Sequence, residues 1–154
     1  ALQKDPNLDA VYIIAAYAHC RLKNWRRVAQ LYDIALQKGP NLPAEYYGKL
    51  AHAYVQLQSW QQAIKHGLDA QAKGARSASF DLGVAHLQMG HIEEGVGLIK
   101  KFINESNYLE SGPEVLKGKP MEILEEAFTN LPDTTYLDWL LKQKEIIKDK
   151  EANQ

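Results

Sequence analysis

The stretch ALQKDPNLDA at residues 1–10 recurs as ALQKGPNLPA at residues 35–44, so that eight of ten residues match at an offset of 34. A second marker keeps nearly the same register, because Asn24-Trp25 and Ser59-Trp60 stand 35 residues apart and Gly90-His91-Ile92 follows about 32 residues later. Periods of this length are typical of arrays of helical hairpins. The sequence therefore predicts a repeated helical unit.

Apolar residues recur three and four positions apart within each unit, which indicates amphipathic helices. The first predicted helix is about 14 residues long and contains Val11 and Leu22. The others cover about 25–37, 44–57, 60–73, 76–89 and 92–104, with Asn24 and Ser59 as N-caps and Gly39-Pro40, Gly74 and Gly90 in the turns or at the helix ends.

Small residues fall mid-way along the first helix of each pair, at Ala16, Ala51 and Gly83. A large side chain there would push the second helix beyond the usual packing distance of about 8–10 Å. A single hairpin cannot bury its apolar face, so we expect the hairpins to stack on one another.

This pattern of small and aromatic residues resembles the tetratricopeptide repeat family. The second unit matches best, with Tyr47, Leu50, Ala51, Tyr54, Ala63 and Ala70; the first supplies Tyr12, Ala15, Ala16, Tyr32, Ala35 and Pro40; the third supplies Leu82, Gly83, Gly95 and Ile99. The resemblance implies an all-α, right-handed superhelical stack of antiparallel helix pairs. It places the tail of a truncated upstream repeat at 1–8 and three repeats at about 9–42, 43–75 and 76–107.

The C-terminal third departs from the repeat. Residues 108–119 predict an irregular connection, and two apolar stripes in 120–150 predict a helical hairpin, with helices over about 120–131 and 134–147 before a fraying charged tail. This hairpin is expected to cap the stack. Alternatively, one of its helices lies in the concave groove of its own or a neighbouring molecule, anchored by Phe128 or Trp139.

The resemblance also implies a concave wall made by the first helix of each pair. The residues expected to bind a partner there are Ile13, Tyr17, Arg21, His52, Val55, Gln56, Phe80, Val84 and Leu87. Because this wall is mostly apolar and aromatic, it suits a peptide or an amphipathic helix of a partner protein. The alternative is a structural or assembly role, in which the chain stacks on an upstream solenoid or self-associates through its C-terminal helices.

Composition narrows the function further. The 18 Lys and Arg balance 19 Asp and Glu, whereas nucleic-acid binders carry a basic excess, so nucleic acid is not an expected partner. No apolar stretch approaches the roughly 20 residues of a membrane span. The opening Ala1-Leu2 predicts a soluble fragment of a larger protein, cytoplasmic or periplasmic.

Catalytic and metal motifs are not recognised in the sequence, and no cofactor is expected. His52 and Cys20 could approach each other, but two ligands are too few for a structural zinc site. His91-Ile92-Glu93-Glu94 is interpreted as a helix start whose carboxylates favour the positive end of the helix dipole. The sequence thus predicts a binding protein rather than an enzyme.

Overall fold

The computed structural model describes residues 8–39, 42–75, 78–105, 116 and 119–153. Within these ranges the chain forms eight α-helices and no strand. The helices are α1 Leu8–Arg21, α2 Trp25–Lys38, α3 Ala44–Gln56, α4 Trp60–Ala72, α5 Ala78–Gln88, α6 Ile92–Glu105, α7 Lys119–Thr129 and α8 Thr135–Ala152. The all-helical fold is thereby confirmed.

The first six helices pack as neighbours in chain order. The helix pairs α1–α2, α3–α4 and α5–α6 each pack together, and successive pairs are joined by contacts of α2 with α3 and of α4 with α5. This arrangement is consistent with a helical repeat. The first helices of the pairs, α1, α3 and α5, form what we call the first-helix face, within which α3 packs more closely on α5 than on α1.

The turns inside the three pairs share one backbone geometry. The N–H groups of Asn24, Ser59 and His91 each donate to the carbonyl five residues earlier, at 2.9, 3.0 and 2.8 Å. The preceding residues have positive φ angles: Lys23 58°, Gln58 60° and Gly90 86°. Both features belong to the Schellman motif that ends many helices. The register found in the sequence between these turns is therefore reproduced by the backbone.

The predicted N-cap positions of Asn24 and Ser59 are confirmed, but the capping role of their side chains is not. Both residues precede a helix as expected, but neither side chain makes a capping hydrogen bond. Their ψ angles of 73° and 75° depart from the extended backbone that directs an N-cap oxygen toward the first helical N–H groups. Gly74 follows the end of α4, as predicted, and has a positive φ angle of 88°.

Close packing within the pairs depends on the small residues that the sequence indicated. Ala16 and Ala51 are fully buried. In the third pair two glycines face each other, since a Cβ atom on Gly83 would lie 3.0 Å from the carbonyl oxygen of Gly95, and one on Gly95 would lie 2.9 Å from that of Gly83. The backbones of α5 and α6 thus approach more closely than side chains would permit.

The two C-terminal helices form a hairpin whose first member crosses the first-helix face. Helix α7 contacts α5 and α3 as well as α8. Helix α8 continues to Ala152 rather than ending near residue 147, because the Lys and Glu residues of its last turns are good helix formers. In the described part of the chain, no helix combines the length and apolar character of a membrane span.

Candidate binding site

A pocket opens on the first-helix face where α1 and α3 diverge, and we call it the α1–α3 pocket. Its volume is about 200 Å³. It is lined by Tyr17, Cys20, Trp25, Val28, Tyr32, Gly48, Lys49, His52 and Asp81. These residues come from α1, α2, α3 and α5, so the site exists only when three successive helix pairs are stacked.

The walls of the pocket are mainly aromatic. Tyr17 stands at the rim with 53% of its surface exposed, and the Lys49 ammonium lies 5.9 Å from the centre of its ring. Trp25 meets His52 edge-to-face, with ring centres 5.5 Å apart. Aromatic walls beside a cationic rim favour an apolar or aromatic group carrying a nearby negative charge.

A histidine–aspartate pair forms the polar part of the pocket. His52 Nδ1 lies 3.0 Å from Asp81 Oδ1, and His52 Nε2 lies 3.3 Å from Gln56 Nε2. With Nδ1–H donating to the carboxylate, Nε2 accepts from the Gln56 amide; in the protonated ring, Gln56 can present its oxygen instead. Both ring nitrogens are therefore satisfied in either charge state.

Asp81 is only 2% exposed, and this burial controls the titration of the pair. Burial opposes a charged imidazole, but the charge and hydrogen bond of Asp81 outweigh it and raise the pKa of His52. Burial also raises the pKa of the Asp81 carboxyl, against the opposing effect of His52. Both shifts favour retention of a proton by the pair.

Two further lining groups, the Cys20 thiol and the Tyr32 hydroxyl, stay neutral. Burial raises the pKa of the Cys20 thiol, although Lys49 opposes the shift. Burial, reinforced by Cys20 and neighbouring acidic groups, raises the pKa of Tyr32 to about 12. A protonated thiol is a poor nucleophile and a poor metal ligand, so Cys20 contributes an apolar surface.

The predicted partner-binding residues divide into two groups. Tyr17 and His52 line the α1–α3 pocket, and Gln56 is bonded to His52. Ile13 is half-buried and Arg21 is exposed on the same helix as Tyr17. The other four, Val55, Phe80, Val84 and Leu87, are buried in the core.

The expectation that these four residues line an open wall is corrected by the position of α7. They belong to one buried cluster with Leu116, Met121, Ile123, Leu124, Phe128 and Leu140. The C-terminal hairpin therefore covers the part of the first-helix face formed by α3 and α5. This arrangement matches the alternative in which a C-terminal helix lies on that face of its own chain, and Phe128 is its fully buried anchor.

Of the nine lining residues, only Tyr17 and His52 were among the predicted binding residues; three of the others, Trp25, Lys49 and Asp81, supply an aromatic wall and two charges. Trp25 belongs to a second helix, and Lys49 projects from α3 beside Gly48. Asp81 had a usable signal, because it is a single carboxylate within the otherwise apolar run Phe80–Ala85. A buried acid in such a run requires a polar partner, and His52 supplies it.

No protein-family model and no curated protein matches this sequence.

Proposed function

We propose that this chain is a protein-interaction module of the tetratricopeptide type, which binds a peptide or helical segment of a partner protein in the α1–α3 pocket. The observation that carries the proposal is the pocket itself, on the part of the first-helix face that α7 leaves open. Its walls are aromatic, and its polar group, the hydrogen-bonded His52–Asp81 pair, already has partners. The repeated turns and the facing small residues support the assignment to this repeat type.

The size of the pocket favours a single anchoring side chain. Its volume of about 200 Å³ is below the range of roughly 300–1,000 Å³ found for small-molecule and cofactor sites. Burial of one large apolar or aromatic side chain contributes about 1.5–3 kcal/mol. Lys49 at the rim would pair with a carboxylate beside that anchor. An enzyme is not proposed, because burial raises the pKa of the Cys20 thiol and both ring nitrogens of His52 are already hydrogen-bonded, to Asp81 and Gln56.

Selection of peptides from a random library on the immobilised chain tests this proposal. We expect peptides with an aromatic or large aliphatic anchor next to an acidic residue. Tyr17→Glu should abolish their binding, whereas Leu68→Glu, at a position on α4 with a similar exposed fraction of 52%, should preserve it. Equal binding by both variants, or no selected peptides, would exclude the pocket as the site.

A second candidate function is assembly through the outer side of α1, and the exposure of Val11 and Leu22 favours it. In the repeat register of 35 residues these positions correspond to Tyr46 and Leu57, which pack on the core shared with the preceding pair. Val11 and Leu22 would make the same contacts with an upstream helix pair or a second copy. Light scattering distinguishes a second copy from an upstream helix pair. If the chain self-assembles, it forms a concentration-dependent oligomer that Val11→Glu abolishes; a wild-type chain that stays monomeric would contradict self-assembly.

A further inference from the structure

The turn between α5 and α6 brings together three side chains that can bind a metal ion. His86 lies in the last turn of α5, His91 immediately precedes α6, and Glu94 lies in the first turn of α6. His86 Nδ1 is 3.0 Å from His91 Nδ1 and 3.6 Å from Glu94 Oε2. One ligand atom of each residue lies within 4.8 Å of the other two.

From this geometry we propose that His86, His91 and Glu94 form a binding site for a divalent transition-metal ion of the zinc type, which links the end of α5 to the start of α6. Two imidazole nitrogens and one carboxylate suit zinc and its neighbours, whereas magnesium and calcium prefer oxygen ligands throughout. Water would occupy the remaining coordination positions, as at open three-ligand sites.

The distances suit an ion held at ordinary zinc–ligand lengths. With each bond at about 2.0–2.1 Å, a separation of 3.0 Å between nitrogens corresponds to a ligand–metal–ligand angle of about 91–97°. The 3.6 Å separation of nitrogen and oxygen corresponds to an angle of about 120°. The first angle lies below the tetrahedral value and the second above it, and the exposed Glu94 side chain can rotate to close the remaining distance to His91.

The two histidines are held in place by the backbone. The His91 N–H donates to the carbonyl of His86 at 2.8 Å, and the Gly95 N–H donates to the carbonyl of His91 at 2.9 Å. Their rings lie with centres 5.2 Å apart. Where Nδ1 faces Nδ1 at 3.0 Å, one nitrogen must carry a proton that the other accepts. A metal ion can bind both Nδ1 atoms once that proton is carried by Nε2 of the same ring, as in the other neutral tautomer.

The equivalent turns show that the fold does not require these ligands. In the first turn the places of His86, His91 and Glu94 are taken by His19, Asn24 and Arg27, and in the second by Tyr54, Ser59 and Gln62. The same backbone hydrogen bonds form in all three turns. His91→Ser therefore copies a residue that this turn already accepts, and the variant is expected to fold.

Titration calorimetry with ZnCl₂ on the full chain tests the site. We expect one ion per chain and a rise of the unfolding temperature on saturation. His91→Ser and Glu94→Gln should each weaken zinc binding by at least about tenfold. His66→Asn and Cys20→Ser remove potential metal ligands outside the proposed site, so both variants should bind zinc like the wild type. Absence of saturable binding, unchanged affinity in His91→Ser, or loss of binding in Cys20→Ser would each overturn the proposal.

Discussion

The His52–Asp81 pair gives the folded protein a pH dependence that can be assigned to two residues. Because the pKa of His52 is raised above its ordinary value of 6.5, the folded state binds more protons than the unfolded state near neutrality. The stability that the pair contributes is fully present below a pH of about 6.5, the ordinary pKa of histidine. It is lost as the pH rises through the higher pKa of His52 in the folded state. We therefore expect the pair to contribute less to the free energy of unfolding at about pH 8 than at about pH 6.

Asp81→Asn isolates this contribution. Without the carboxylate, burial alone acts on His52 and lowers its pKa, so the dependence contributed by His52 should reverse in sign. Urea unfolding of both proteins across this pH range measures the difference between the two slopes. His66, whose pKa is lowered mainly by burial, affects both proteins alike and cancels in that difference. Parallel pH profiles would show that the pair does not share a proton as described.

Residue types in the sequence could identify Tyr17 and His52 but not their most important partner. Helical spacing determines which residues share a face, and this was sufficient to place both on the first-helix face. Asp81 lies 29 residues from His52, and the contact depends on how α3 packs against α5. Local periodicity carries no information about such a crossing, so the pairing of Asp81 with His52 could be found only from the fold.

At the scale of single helices, two glycines of α6 should respond oppositely to the same substitution. A Cβ atom on Gly95 would lie 2.6 Å from Leu87 Cγ and 2.9 Å from the Gly83 carbonyl oxygen, whereas one on Gly97 would meet nothing within 4 Å. Gly95→Ala is expected to lower the free energy of unfolding by about 1–3 kcal/mol. Gly97→Ala should raise it by up to about 1 kcal/mol, since alanine favours the helix. Chemical denaturation measures both, and equal effects would refute the close approach of α5 and α6.

The helices themselves could be largely predicted, because the repeated turn residues and the apolar spacing agree. The failures lie at the ends. The residue types of Asn24 and Ser59 favour side-chain capping, but after the Schellman turn their ψ angles are not extended, and neither side chain makes a capping hydrogen bond. The charged tail after Ile147 was expected to fray, although helix propensity carries α8 to Ala152. At Asn24 and Ser59 the residue preference gives way to the backbone conformation of the turn, whereas in the tail of α8 the helix propensity prevails.

For the molecule as a whole, the C-terminal hairpin is part of the core, and Phe128 is the residue that tests this. Phe128 is 1% exposed and packs in the same cluster as Phe80. Phe128→Ala should lower the free energy of unfolding by about 3–5 kcal/mol. Leu141→Ala, on the exposed side of α8, should change it by no more than about 0.5 kcal/mol. Similar losses in both variants would contradict the burial of α7 against the helix pairs.

The covering of Val55, Phe80, Val84 and Leu87 could not be derived from periodicity alone. Helical spacing places all four on the apolar side of their helices, but an apolar side can be covered by the chain itself or by another molecule. Both possibilities produce the same spacing of apolar residues. Only the crossing of α7 over α3 and α5 distinguishes them, and it leaves the α1–α3 pocket uncovered.

The late position of α7 in the chain has a consequence for biosynthesis. Helices α1 to α6 emerge from the ribosome first. Phe80 and Val84 therefore stay exposed to solvent until the segment around Phe128 has emerged. Nascent chains with uncovered apolar surface are prone to aggregate and attract chaperones. A nascent chain stalled before α7 should therefore aggregate or bind chaperones. Synthesis of α7 and α8 should cover the apolar surface and end that association.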